Sequence, residues 1–225
     1  MVSLGIKASA SFATRTLIIA LMVFVPAGSL DFWQAWVFLP SLLVPQTLMG
    51  AYFLKKDPDF LKRRLKCGFR AETRFAQKMI MFLISLSFSL VMVISGFNHR
   101  LGWSQIPPIV AITADAIIIL GILIQFQAFK ANSFASATIG IESDQTVIST
   151  GPYAVVRHPM YSGSMLANLF APIALGSWWA FLPSVALLAG IVLRILDEEK
   201  LLRESLPGYE EYCRKVPYRI VPHVW

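Results

Sequence analysis

The chain has 225 residues, of which 56% are hydrophobic and 15% charged, and carries a formal net charge of +7. A soluble domain usually has about 25% charged residues, so an ordinary soluble core is excluded and the surplus apolar surface points to lipid. The basic balance does not indicate nucleic acid, because no soluble module presents a basic face interleaved with stacking aromatics.

In chain order, apolar runs occupy roughly 15–29, 32–54, 75–97, 106–130 and 161–194. A spanning helix needs about 20 apolar residues, which the second, third and fourth runs meet directly. The first run is short and ends near Pro26-Ala27-Gly28, so it pairs with the second as a hairpin. The fifth is too long for one crossing. Gly176-Ser177 interrupts it and Trp178-Trp179 follow where interfacial aromatics sit. It divides into helices over roughly 161–176 and 178–195, giving six crossings, or five if one short segment is re-entrant. The expectation is an all-α, polytopic transmembrane bundle formed as one integral-membrane domain over 1–225. Helices 1–4 fill 1–130, and 131–225 supplies a cytoplasm-facing pocket with a helical hairpin.

Charge gives the orientation. With the N-terminus inside and six crossings threaded, Arg100 alone of the 20 Lys and Arg residues falls outside, as the positive-inside rule requires. The N-terminus and the C-terminal region are therefore expected in the cytoplasm, with the positive charge attracted to anionic headgroups. A signal peptide is not expected, because the first apolar stretch lacks a small-residue cleavage site. The connector KKDPDFLKRRLKCGFRAETR is expected as a partly helical, solvated inner-surface loop. Cys67 and Cys213 lie in basic, cytoplasmic stretches and are expected as free thiols. His99, His158 and His223 are too scattered for a zinc cluster, and no metal is expected.

The polar residues gather late in the chain. NSFASATIGIESDQTVISTGPYAVVRHPMYSG precedes the hairpin and RILDEEKLLRESLPGYEEYCRKVPYRIVPHVW follows it, so both emerge on one side of the membrane. Proline keeps His158 out of the α region and fits the first position of a helix beginning at Pro159. The unpaired N–H groups there, with Arg157, suit a carboxylate. Gly151 and Pro152 turn the chain, Tyr153 and Tyr161 offer aromatic faces and hydroxyls, and Gly163 permits close helix packing or ligand approach. A membrane-interface anchor is the competing reading. Arg194 and Glu198 are four apart, share a helical face and are expected to pair. With Glu199 they furnish a wall carrying both signs of charge, or else a solvated helix end. The tail tyrosines Tyr209 and Tyr212 are expected to pack on the bundle, and Glu210–Arg214 to form a surface pair.

TGPYAVVRHPMYSG, then RILDEEKLL and YEEYCRKVP, resembles the isoprenylcysteine carboxyl methyltransferase family of integral-membrane methyltransferases, with related signatures in phospholipid N-methyltransferases. The resemblance covers roughly the last 95 residues. It implies an S-adenosylmethionine pocket in which Gln145, Val147, Ile148, Gly151 and Tyr153 form the cofactor loop. His158, Pro159 and Tyr161 match the RHPxY motif, and Glu198 and Glu199 the paired cofactor-contacting acids. Arg157, Arg194 and Glu198 stand as the residues at the reacting centre. The implied acceptor is a lipophilic small molecule or lipidated chain entering from membrane lipids, methylated on a carboxylate. The eukaryotic pattern has histidines where this chain has Gln145 and Ser136, which leaves phospholipid amines open as acceptors. VPYRIVPHVW is also similar to the end of nicotinamide-dependent membrane sterol reductases, a second functional class. A non-catalytic lipid-binding role is a third.

Overall fold

The computed structural model describes residues 2–65, 71–72, 74–135, 138–140 and 145–225. Its helices are α1 (Val2–Ala27), α2 (Trp33–Lys56), α3 (Pro58–Leu65), α4 (Phe75–Leu101), α5 (Pro108–Ala131), α6 (Pro159–Ala174), α7 (Phe181–Ser205) and α8 (Tyr209–Lys215), with a 3-10 turn at Gly151–Ala154. The all-α bundle expected from the apolar runs is the architecture found. Cys67 and Ser136 lie outside the described residues.

Four helices, α1, α2, α4 and α5, are long and apolar enough to cross a membrane, and the chain is an integral membrane protein. Hydrocarbon offers no partner to backbone N–H and C=O groups, so a helix that satisfies its own is the stable form for such runs. The 24 residues of α2 extend about 36 Å at 1.5 Å each, enough for a core of about 30 Å. α1 starts well before the expected residue 15, because the preceding small, helix-compatible residues extend it.

Small residues set the helix contacts. A Cβ on Gly96 of α4 would lie 2.5 Å from the Val23 carbonyl oxygen of α1, and one on Gly121 of α5 would lie 2.6 Å from that of Gly163 on α6. Of the two uses open to Gly163, the structure realises helix packing: α5 and α6 touch backbone to backbone.

The bundle has two distinct ends. At one, Asn98 donates to the carbonyls of Ser104 and Gly176, both at 3.1 Å, beside exposed Trp33, Trp103, Trp178 and Trp179. At the other, Gly5 of α1 faces Leu54 of α2, and Phe53, Phe60 and Phe129 bring α2, α3 and α5 together. The hairpin α6–α7 runs between these same ends. α6 starts beside the end of α5, its tip at Gly176 reaches Asn98, and α7 returns to meet Gln77 of α4 through Arg194. α6 has 16 residues, and α7 continues past its apolar portion into the charged segment to Ser205.

The connector after α2 differs from the solvated loop expected. Asp57 caps α3 by accepting the Phe60 N–H at 2.9 Å, and Pro58 takes the first helical position. Phe60 and Leu61 are then buried under the bundle end, and Glu72 is 3% exposed.

Candidate functional site

A short backbone pairing fixes the RHP segment. Arg157 N–H donates to Tyr218 C=O at 2.9 Å and His158 N–H to Arg219 C=O at 2.8 Å. Ser162 Oγ adds a bond to Ile220 C=O at 2.7 Å. The tail therefore lies along the start of α6. Pro159 opens α6 as its spacing predicts, and Gly151 has φ +59° at the turn into the 3-10 segment, where only glycine is unstrained. Tyr212 Oη donates to Tyr153 C=O at 2.7 Å and anchors α8 to that turn.

Between these segments lies a cavity. Its walls include Asn132, Phe134 and Thr138 from the chain after α5, then Gln145, Val147, Ile148 and Tyr153, then Arg157, His158, Met160 and Tyr161 at the start of α6. Arg194, Glu198, Leu202 and Leu206 from α7 and Tyr209 and Tyr212 from α8 complete it. Met160 and Tyr161 border it, so the N-terminus of α6 faces the cavity. The two polar stretches that flank the hairpin in sequence meet here. Gly151, Pro159 and Glu199 are not among the lining residues: the first two shape the backbone, and Glu199 is engaged elsewhere.

The neighbouring acids Glu198 and Glu199 have different surroundings. Glu199 accepts from Arg157 Nε at 2.7 Å and Arg219 Nε at 3.0 Å, with His158 Nε2 at 3.2 Å, and its side chain is 4% exposed. Burial pushes its carboxyl up, but the hydrogen bonds and charges of His158 and Arg157 outweigh burial and bring it down to about 2. It joins α7, the start of α6 and the tail. Glu198 instead faces the cavity, accepting from Tyr161 Oη at 2.7 Å. Among the described residues no cation comes within salt-bridge distance of Glu198.

The arginines are similarly engaged. Arg157 spends Nη1 on the carbonyls of Val216 and Pro217, both at 2.9 Å, and Nε on Glu199. Arg194 was expected to pair with Glu198, four residues on. Its Nε instead donates to the Tyr161 hydroxyl at 3.1 Å, which relays to Glu198, while its Nη2 meets Glu72 Oε1 at 2.8 Å. Its Nη1 donates to Gln77 Oε1 at 2.8 Å. The pull comes from α4 and its preceding connector, elements whose approach no spacing within α7 could reveal. Asp197 leaves the cavity side and binds Arg74 at 2.9 Å and the Gln77 amide. On α8 the pair observed is Glu211–Lys215 at 2.8 Å, one position from the expected Glu210–Arg214.

Glu72 and Gln77 were missed in the sequence. One signal was present: Glu72 is the sole acid between Asp59 and Asp115, in an otherwise basic connector. Tyr209, expected to pack on the bundle, also reaches the cavity wall, where its hydroxyl is buried with no oxygen or nitrogen partner among the described residues.

With both arginines neutralised by buried acids, the wall presents one uncompensated carboxylate, apolar surface from Val147, Ile148, Leu202 and Leu206, and aromatic faces from Tyr153, Tyr209 and Tyr212. That set suits a cation attached to a flat, partly apolar group.

Residues 109–207 match the family model described as phospholipid methyltransferase. That stretch of the chain is thus similar to the membrane methyltransferases that its C-terminal motifs resemble. Among curated proteins, it is 30% identical over 111 residues to the Delta(14)-sterol reductase of Mus musculus, covering 45% of this chain and 26% of that protein. It is 28% identical over 106 residues to the cobalt-zinc-cadmium resistance protein CzcN of Cupriavidus metallidurans, covering 45% of this chain and 47% of the relative. It is 25% identical over 139 residues to the nickel-cobalt-cadmium resistance protein NccN of Alcaligenes xylosoxydans xylosoxydans, covering 53% of this chain and 63% of the relative. The chain spans less than two thirds of each of these relatives.

Proposed function

We propose that the chain is an S-adenosylmethionine-dependent membrane methyltransferase that acts on a lipophilic acceptor, by carboxyl O-methylation of a prenylcysteine-like molecule. The observation that carries this is Glu198: a carboxylate in the cavity wall, hydrogen-bonded to Tyr161 and without a cationic partner among the described residues. A ligand bearing sulfonium and ammonium charges supplies what that wall lacks.

The residues present fit such a cofactor. Glu198 would hold its cationic or ribose groups, the Tyr209 hydroxyl, without an oxygen or nitrogen partner among the described residues, would add a hydrogen bond, and Val147, Ile148 and Leu202 would give the adenine an apolar seat. When bound, S-adenosylmethionine would supply an electrophilic methyl group, with a neutral thioether as the leaving group, to the acceptor's oxygen. A carboxylate acceptor needs no proton removed, so the protein's work is alignment and exclusion of water. Arg194, held by Tyr161 and Gln77, orients the acceptor. Arg157 and Glu199 act through backbone geometry by fixing the His158–Pro159 corner. The acceptor enters between helices from the lipid, and six crossings place the N-terminus and cavity on the cytoplasmic side.

The deciding experiment is methyl transfer from labelled S-adenosylmethionine in proteoliposomes, offered prenylthiol carboxylates and phosphatidylethanolamine separately. Label in the carboxylate acceptor supports the reading, and label in the amine alone moves the acceptor class to phospholipids. Similarity to a sterol reductase favours one second reading, a nicotinamide-dependent reduction. Saturable protection by reduced nicotinamide dinucleotide, with none by S-adenosylmethionine, would establish that instead.

A further inference from the structure

Glu72 occupies an unusual position. Its side chain is 1% exposed, its Oε1 lies 2.8 Å from Arg194 Nη2, and its Oε2 accepts the Ile139 N–H at 3.3 Å. Arg194 and Ile139 both line the cavity, whereas Glu72 reaches them from outside, on the connector between α3 and α4. A buried ion pair contributes little net stability, because desolvation offsets the attraction, so stability alone gives a weak reason for an acid here. The pair does neutralise the guanidinium of the one α7 arginine that faces the cavity.

We propose that Glu72 is a resident stand-in for the acceptor's carboxylate, seated on Arg194 in the resting chain and displaced by an anionic lipid acceptor. This rests on the methyltransferase reading and names the acceptor's chemical class. An incoming carboxylate replaces one ion pair on Arg194 with another of the same kind, so the exchange is close to balanced. A neutral group offers no such compensation and leaves Arg194 and Glu72 paired. Glu72 thereby selects anionic acceptors against neutral ones of equal apolar bulk. Its departure also frees the Ile139 N–H, so arrival of the acceptor loosens the cavity wall at that residue.

The test measures binding to the full chain in nanodiscs, using S-farnesylthioacetic acid and its primary amide as probes, with S-adenosylmethionine binding measured separately. Glu72→Gln removes the competing charge and is expected to tighten the acid by roughly tenfold, leaving the amide and the cofactor within about twofold of wild type. In the wild-type chain, hydrogen exchange at the Ile139 amide is expected to rise when the acid binds, the reverse of ordinary ligand protection. Unchanged or weaker binding of the acid to Glu72→Gln, or protection of Ile139 in the wild type, overturns the proposal. Failure of S-adenosylmethionine to bind the wild type counts against methyl transfer alone, since the two probes still report on the Arg194 seat.

Discussion

The hydroxyl of Tyr161 donates to Glu198 over 2.7 Å while itself accepting from Arg194 Nε at 3.1 Å. One phenol thus sets the direction of the carboxylate that faces the cavity and the guanidinium behind it. Tyr161→Phe keeps the ring and removes the relay. The variant is expected to remain folded and to bind S-adenosylmethionine about 10-fold more weakly, the scale of one hydrogen bond to a charged group. Calorimetric titration in detergent checks this, and unchanged affinity would leave Tyr161 a packing residue.

Glu198 and Glu199 are adjacent and chemically identical, yet the geometry assigns them different consequences. Glu198→Gln is expected to weaken cofactor binding about 10- to 100-fold with the thermal midpoint preserved. Glu199→Gln leaves Arg157 and Arg219 without their shared carboxylate and is expected to lower stability by roughly 3–5 kcal/mol, as when one partner of a buried pair is removed. Thermal unfolding measured beside cofactor binding separates the two, and equal effects in both assays would refute the division.

Acid should act through Glu199. Its carboxyl sits at about 2 in the folded chain against an ordinary 4.5. A lowered folded value means the stabilisation is whole above about 4.5 and is lost as pH falls toward 2. The thermal midpoint of the wild type is expected to fall across that window, and Glu199→Gln to start lower and lose this part of the decline. A pH series of unfolding curves reads it directly.

Close contact of α5 with α6 makes a steric prediction. A Cβ on Gly121 would meet the Gly163 carbonyl at 2.6 Å and the Ala167 nitrogen at 3.1 Å, both backbone atoms that cannot swing aside. Gly121→Ala is expected to cost about 1–3 kcal/mol and to reduce cofactor binding as well, since α6 carries His158 and Tyr161 at its head. A variant with wild-type stability would show that the helices part easily.

Asp115 has both carboxylate oxygens buried within α5 and without a partner among the described residues. Removing an uncompensated polar group from an apolar core is favourable. Asp115→Leu is therefore expected to raise the thermal midpoint while cofactor binding stays unchanged. A fall in either quantity would assign Asp115 a role.

The helices were legible because lipid imposes one rule on every spanning segment, and apolar length records it. The turn at Gly151 and the helix start at Pro159 were legible too, since each depends on the backbone of one residue. The partners of Arg194 were not. Helical spacing pointed to Glu198, but Gln77 and Glu72, more than 110 positions earlier, reach it first, and only the packing of α4 on α7 brings them there. For the same reason the sequence does not separate Glu199 from Glu198: one step of about 100° around a helix turns Glu199 toward Arg157 and Arg219.

Residues 109–207 hold the stretch shared with the phospholipid methyltransferases, but Glu72 and Gln77 sit upstream of it and Arg219 downstream. A chimera that transplanted only the shared stretch would inherit a guanidinium without its moorings and an acid hub lacking one of its arginines. Activity exchanged between relatives by such grafting should appear only when α4, with Gln77, and the tail, with Arg219, travel with it, so the unit of inheritance is wider than the motif that advertises it.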